Sequence, residues 1–460
     1  MPKVKQPASL EQITFDFLVE YFVDLCNRLS CKGDVPRLRR TVALIKELLF
    51  PWLPPSRRLL AEFCAKFVEK FREREKKYRG PRPESHVAAA LEMIMDVDLT
   101  GLRCGYHTMR CMDEHDASRI RGLEKLDITM YGNKGMSSFR LQNLTELYCH
   151  YHFNDSYLAI VGSQCLKLRV LDIRNSSRVT DEGLRALGPC SELRVFHFYG
   201  HKISAAGTNE LLSSHQKIKE FNVNYDILSR PTSQVCPAMQ KFCFQTTFVD
   251  ETHFRAAAAL FPNLTDIQID CKVSGDLREL RALKNLTGLN FYCWNAVSME
   301  NLRQLLAIIG ENILNLKVIT ESSRTFVSRT DLQYIYNICK NIQSLEFEYK
   351  PLTKIDTLRI PPFSKLKTLK MKKAWKIHDM YVTLQLQQMV ELEVLEVYGF
   401  GLMNRTVESI MCNHVNFPKL RLVRTSSIHT DNLIRLNRIA KEKNLDFTVQ
   451  AEIGAFYSQF

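Results

Sequence analysis

No Cys-x-x-Cys pair occurs in this 460-residue chain, although it holds 14 cysteines. Scattered single thiols build neither a disulfide framework nor a paired zinc site. Many of them, such as Cys149, Cys190 and Cys243, fall on apolar or repeat positions. They are read as reduced, buried side chains of a cytoplasmic or nuclear protein. Also missing is an apolar run of the ~18 residues that a membrane-spanning helix requires. The polar opening MPKVKQPASLEQ has no secretory pattern, so no membrane partner is expected. There is no GxSxG, Gly-rich phosphate loop, HExxH or kinase set. Nothing in the spacing of the isolated His and Asp residues converges them on one point. The chain is therefore expected to be no enzyme and to need no cofactor. With 45% apolar and 25% charged residues it is globular, and its net charge of +13 permits an acidic partner without demanding one.

What the chain does have is a repeat. The pattern Φ-x-x-Φ-x-Φ, with Φ apolar, occurs at Leu123/Leu126/Ile128, Leu144/Leu147/Cys149, Leu168/Leu171/Ile173 and Leu193/Phe196/Phe198. It continues at Ile218/Phe221/Val223, Met239/Phe242/Phe244, Leu264/Ile267/Ile269 and Leu286/Leu289/Phe291. Ile313/Leu316/Val318, Ile342/Leu345/Phe347, Leu366/Leu369/Met371 and Leu392/Leu395/Val397 follow, with a degraded copy at Leu420/Val423. The central positions recur at intervals of 21 (Leu126 to Leu147) to 29 (Leu316 to Leu345) residues. That is a leucine-rich-repeat period.

Physical reasoning explains the spacing. In "LDI", Leu171 and Ile173 are two apart and point to one side of a parallel sheet, while Asp172 faces the other way. The chain must then return across the stack, and "TDEGLRALG" predicts a short helix for that. Thr180 is the expected N-cap, Asp181 and Glu182 favour the helix dipole, and Leu184 and Leu187 share a face. One such unit cannot bury its inner face, but stacked units can. The expected fold is an α/β solenoid with parallel strands on a concave face, helices on the convex face and a small helical N-terminal domain. Segments Leu168–Leu193 and Ile342–Lys372 resemble the Cys-containing repeats of F-box/LRR proteins, with "VTDEGLRALGPC" the nearest match. The resemblance implies a binding scaffold over about 120–450 and leaves function open.

Residues 1–119 do not repeat. "SLEQITFDFLVEYFVDLCNRL" predicts a helix with a capping-box signature at Ser9 and Gln12 and an apolar stripe along Leu10, Ile13, Phe17, Tyr21 and Leu25. A second apolar run is split by Pro51 and Pro54/Pro55 into two helices. The expected organisation is a helical domain over 1–78, a linker and cap over 79–119, repeats over 120–450 and a tail over 451–460. Ser9, Leu10, Thr14 and Leu18 resemble the BC box of LRR substrate receptors of elongin-type cullin-RING ubiquitin ligases. "WLPPSRRLLAEF", with Leu53 and Pro54, resembles the cullin box that follows it. Thr14 stands where Cys is usual, and Arg57 where an aliphatic is expected. The resemblance implies elongin C and a cullin as partners, docked helix-in-groove. A Skp-type adaptor bound through Pro51–Phe67 is a variant. Alternatively, the helix only caps the array.

"CGYHTMRCMDEH" spaces Cys104, His107, Cys111 and His115 suggestively, but one straight helix cannot wrap four ligands around zinc, so no metal is expected. Basic runs at Arg57–Arg82, Lys365–Lys376 and Lys419–Lys443 are read as solvated faces. A nucleic-acid surface needs a continuous basic stripe with stacking aromatics. The outward strand positions instead run Asp127, Tyr148, Asp172, His197, Asn222, Cys243, Gln268, Asn290, Lys317, Glu346, Lys370 and Glu396. With the next row, this gathers Tyr148, His150, Tyr151, Arg174, His197, Tyr199 and Tyr225 as a candidate protein-binding surface, since Tyr and Arg anchor interfaces. The expected function is a non-catalytic adaptor that binds a protein substrate on the concave face and links it to a ubiquitin ligase. A plain LRR scaffold is the alternative, and an RNA-associated LRR protein the less favoured one.

Overall fold

A computed structural model describes residues 100–104, 122–129, 139–150, 152–174, 176–198, 202–223, 235–244, 248–293, 296–320, 327–348, 360–372, 386–397, 417–425 and 448–451. It also describes isolated positions before residue 50 and between 434 and 442. Among the early ones, Tyr21, Asp24, Arg40, Ala43, Leu44 and Glu47 are helical. Ser9, Leu10, Thr14, Leu18, Leu53 and Pro54 lie outside the described residues.

The described repeats fall into two units, one ending at Met239 and one beginning at Gln240. In the N-terminal unit the strands are β1 (Gly101–Cys104), β2 (Lys125–Thr129), β3 (Glu146–His150), β4 (Val170–Ile173), β5 (Val195–Phe198) and β6 (Glu220–Val223). They pair in chain order, all parallel. Helices α1 (Asp155–Gln164), α2 (Asp181–Ala186) and α3 (Ala205–Ser214) return the chain after β3, β4 and β5. The C-terminal unit continues with β7 (Lys241–Phe244), β8 (Phe248–Val249), α4 (Glu251–Leu260), β9 (Asp266–Ile269) and β10 (Lys272–Val273). After a 3-10 turn at Leu277–Ala282 come β11 (Gly288–Cys293), α5 (Ala296–Ile309), β12 (Asn315–Thr320), α6 (Arg329–Ile338) and β13 (Ser344–Glu348). The strands β14 (Thr368–Lys372), β15 (Val394–Val397), β16 (Leu422–Thr425) and β17 (Thr448–Ala451) complete it. Its main sheet is parallel throughout, and β8 pairs with β10 apart from it. The fold is thus an α/β leucine-rich-repeat solenoid.

Register aligns the apolar pattern. Leu126, Leu147, Leu171, Phe196 and Phe221 sit opposite one another, and Phe242, Ile267, Leu289, Leu316, Leu345, Leu369, Leu395 and Val423 do the same. All are buried, and each side chain removed from water contributes about 1.5–3 kcal/mol. The loosest copies, Met239–Phe244 and Leu420–Val423, keep this register. Cys104 ends a strand opposite Ile128, not a helix as the spacing of "CGYHTMRC" suggests.

The stretch before each repeat is a backbone turn. The N–H of the leading apolar residue donates to the carbonyl three residues earlier: Leu168 to Cys165 at 3.0 Å, Leu193 to Cys190 at 3.1 Å, Ile218 to His215 at 3.1 Å and Ile342 to Cys339 at 3.3 Å. The turn residue points inward and must satisfy its neighbour. The Cys190 thiol donates to the Cys165 carbonyl at 3.5 Å, and His215, at the same position, turns Nε2 to the Leu187 carbonyl at 3.1 Å. Burial pushes the Cys165 thiol up to about 12 and Cys190 to about 11, which keeps both neutral. The buried cysteines of these turns and strands, among the described residues, are thiols outside any disulfide.

"VTDEGL" also does something the sequence does not show. Thr180 stands at the N-cap of α2, but its side chain makes no cap hydrogen bond to that helix. Its N–H and hydroxyl donate to Asp155 of the preceding helix at 2.8 and 2.7 Å. Ser204 repeats this one turn later, donating to Asp181 at 2.7 and 2.6 Å. Glycine follows because a Cβ at Gly183 or Gly207 would come within 2.2 Å of the same carboxylate.

Candidate functional site

Strand register builds a polar row on the outward face of the N-terminal unit. Arg103, Asp127, Tyr148, Asp172, His197 and Asn222 stand opposite one another across six strands. Each is the middle residue of an apolar pair, so the alternation that buries Leu171 and Ile173 turns Asp172 out. Asp172 is nevertheless only 2% exposed, because its neighbours close over it. Arg174 grips it in a fork, Nε to Oδ1 at 2.9 Å and Nη2 to Oδ2 at 2.7 Å. His197 Nδ1 approaches Oδ2 at 3.5 Å, and its Nε2 lies 3.0 Å from Glu220 Oε1.

Charge balance decides the protonation states. Burial would raise the Asp172 carboxyl, yet hydrogen bonds from His197 and Arg174 hold it well below the usual carboxylate range. Burial would lower His197, but its two carboxylate partners, Asp172 and Glu220, raise it. The imidazole is thus a cation-favouring link between two acids, one from the repeat on either side of its own. On the near side, the Lys125 ammonium bonds Glu146 Oε2 at 2.6 Å and lies 5.0 Å from the centre of the Tyr148 ring, while the Tyr148 hydroxyl donates to Glu146 at 3.1 Å. The Lys125 bond holds the Glu146 carboxyl below its ordinary value.

Of the sequence candidates, Tyr148, Arg174 and His197 are brought together around Asp172. His150 ends β3 opposite Thr129. Tyr151, Tyr199 and Tyr225 lie outside the described residues. Sequence reasoning put Asp172 in the outward row without making it a site residue, and it missed Lys125, Glu146 and Glu220. Lys125, Glu146 and Glu220 each occupy the first residue of their strand, two before the outward position and on its face. A repeat-aligned column would have shown them. Among the described residues no cluster of His, Cys, Asp or Glu can hold a metal ion, and no helix is long and apolar enough to cross a membrane. What this surface offers is a set of fixed donors, acceptors and one aromatic ring.

No protein-family model matches the chain, and no curated protein matches it. Among solved structures, it is similar to an internalin from Listeria monocytogenes, with 15% identity over 85% of this chain and 95% of that one and a TM-score of 0.30. A leucine-rich-repeat protein from Leptospira interrogans shares 14% identity over 76% and 90%, with a TM-score of 0.30. A Bacteroides fragilis protein shares 10% over 84% and 82%, with a TM-score of 0.22. Superpositions this loose decide nothing on their own, and the repeat assignment rests on the register and turn hydrogen bonds of this chain.

Proposed function

We propose that the protein is a non-catalytic interaction scaffold that binds a protein partner on its strand face, centred on Tyr148, Arg174 and His197. The supporting observation is the locked state of these side chains. Arg174 and His197 are held by a buried carboxylate and Tyr148 by Glu146, so little rotamer entropy remains to be lost on binding. An interface of this kind takes most of its affinity from a few Tyr and Arg anchors. His150, Tyr151, Tyr199 and Tyr225 extend the same surface in this proposal.

The proposal includes attachment to a ubiquitin ligase. The helix carrying Ser9, Leu10, Thr14 and Leu18 would dock elongin C, with Leu53 and Pro54 in the cullin contact, and this part rests on sequence resemblance alone. Affinity purification of the full chain tests both parts. Copurified elongins and a cullin, lost on Leu10→Asp, support the ligase link, and their absence leaves a plain scaffold. A protein partner lost on Tyr148→Ala, with the melting temperature unchanged, supports the strand-face site. Tyr148 suits this test because its removal bares no buried charge.

A further inference from the structure

Five consecutive strands of the C-terminal unit, β12 to β16, carry alternating charge on their outward face. Register places Lys317 beside Glu346, Glu346 beside Lys370, Lys370 beside Glu396, and Glu396 beside Arg424. The acids lie deep and the bases lie above them. The Glu346 and Glu396 side chains are 15% and 5% exposed, whereas Lys317, Lys370, Lys372 and Arg424 are 34 to 40% exposed. Each acid holds two cations. Lys317 and Lys372 reach Glu346 at 3.3 and 2.8 Å, and Lys370 and Arg424 reach Glu396 at 3.1 and 3.0 Å. One cation neutralises each carboxylate, and with Glu348 beside Lys372 counted, the four cations Lys317, Lys370, Lys372 and Arg424 face three acids and leave one positive charge in excess on these strands. Burial alone would raise the Glu346 carboxyl, but the lysines keep it below its ordinary value, so the arrangement stays charged. The other acid on these strands, Glu348, is 6% exposed and accepts the Thr320 hydroxyl at 2.6 Å. An ammonium has three donors, so a lysine bonded to one carboxylate still offers others.

From this placement we infer that the outward face of β12–β16 docks an acidic peptide segment in the polyproline II conformation, with a carboxylate at every third residue. The inference rests on the proposal that strand faces are this protein's binding surfaces. Its geometry is simple. Lys317, Lys370 and Arg424 sit on alternate strands, about 9.6 Å apart given the usual strand spacing. A polyproline II helix repeats every three residues and rises about 9.3 Å per turn, so acids three apart meet successive cations on one side. A polynucleotide fits less well. The interleaved carboxylates repel a continuous phosphate chain, and the row from Lys317 to Arg424 supplies no aromatic ring for bases to stack on.

The test uses the full chain and a fluorescent peptide of repeated aspartate-proline-proline, read by anisotropy. A control peptide of equal charge carries aspartate at every second residue, and a single-stranded oligoribonucleotide serves as competitor. The expected result is binding of the first peptide, at least tenfold weaker for Lys317→Gln and Lys370→Gln, unchanged by Tyr148→Ala and falling with salt. Because Lys370→Gln strips a buried acid of one partner, the double variant Lys370→Gln/Glu396→Gln is measured beside it and is expected to lose the peptide while folding normally. Equal affinity for the control peptide, tighter binding of the oligoribonucleotide, or no binding of the peptide overturns the inference. If the peptide fails while a captured protein partner is still lost on Tyr148→Ala, the strand-face proposal survives and only this inference falls.

Discussion

The two units differ in how far a helix start leans on the helix before it, although Asn154 and Ser204 of the N-terminal unit also cap Tyr157 and Gly207 of their own helices at 3.1 and 3.0 Å. In the N-terminal unit the start of each of α2 and α3 is tied to the helix before it, because Thr180 and Ser204 give both N–H and hydroxyl to Asp155 and Asp181. In the C-terminal unit α4 and α6 cap themselves, while the 3-10 turn keeps one such tie, Asp276 N–H to Glu251 at 3.2 Å. Asp250 accepts from the N–H groups of Thr252 and His253 at 3.0 and 3.4 Å. Ser328 and Asp331 exchange bonds of 3.2 and 2.8 Å in a capping box. Arg303 does reach Asp331 from the preceding helix at 2.7 Å, but as a side chain added to a finished cap. A backbone donor satisfied only by another repeat makes cohesion between repeats obligatory. A self-capped helix has its first N–H groups satisfied within its own repeat.

The hardest blow to this contrast is Gly162→Ala. A Cβ there would stand 1.8 Å from the Ala186 carbonyl oxygen, a backbone atom that cannot rotate away. A loss of about 3 kcal/mol is expected, read as lost hydrogen-exchange protection over α1 and α2 with the C-terminal unit unchanged. Equal loss in both units would break the comparison. Next comes Asp155→Ala, which leaves the Thr180 N–H and hydroxyl without their acceptor. About 2 kcal/mol should be lost, appearing at α2 in exchange and not only at α1, where the mutation sits. Ser328→Ala should cost about 1 kcal/mol and stay within α6. If it loosened β12 and α5 as well, the self-capped description would be wrong.

The smallest effect concerns pH. His197 has a raised value in the folded protein, so its contribution is complete below the unfolded value of about 6.5 and is lost as pH rises through the folded one. His197→Gln should flatten the dependence of the N-terminal unit's urea midpoint on pH above the unfolded value of about 6.5. A slope unchanged by the substitution would remove His197 as its source.

Much of the fold was legible because the leucine-rich-repeat signal is periodic. Leu171 and Ile173 announce their own side of the strand, and copies 25 residues away repeat the statement. The site was half legible. Alternation turned Tyr148 and His197 outward and so placed them in one row. It could not show that Asp172, also turned outward, is buried, because the cover comes from Arg174 folding back and from His197 one repeat later. Thr180 looked like an ordinary N-cap because capping preference is local, whereas its acceptor lies 25 residues earlier.

The chain alone determined the period, the inward apolar residues and the absence of long apolar runs, since each of these is a pattern in the order of residue types along the chain. Only the tertiary structure decided which charges meet across repeats: His197 with Asp172 and Glu220, and two cations on each of Glu346 and Glu396. These pairs form across strands about 5 Å apart in space but tens of residues apart in sequence, and only the stacking of one turn on the next fixes that distance.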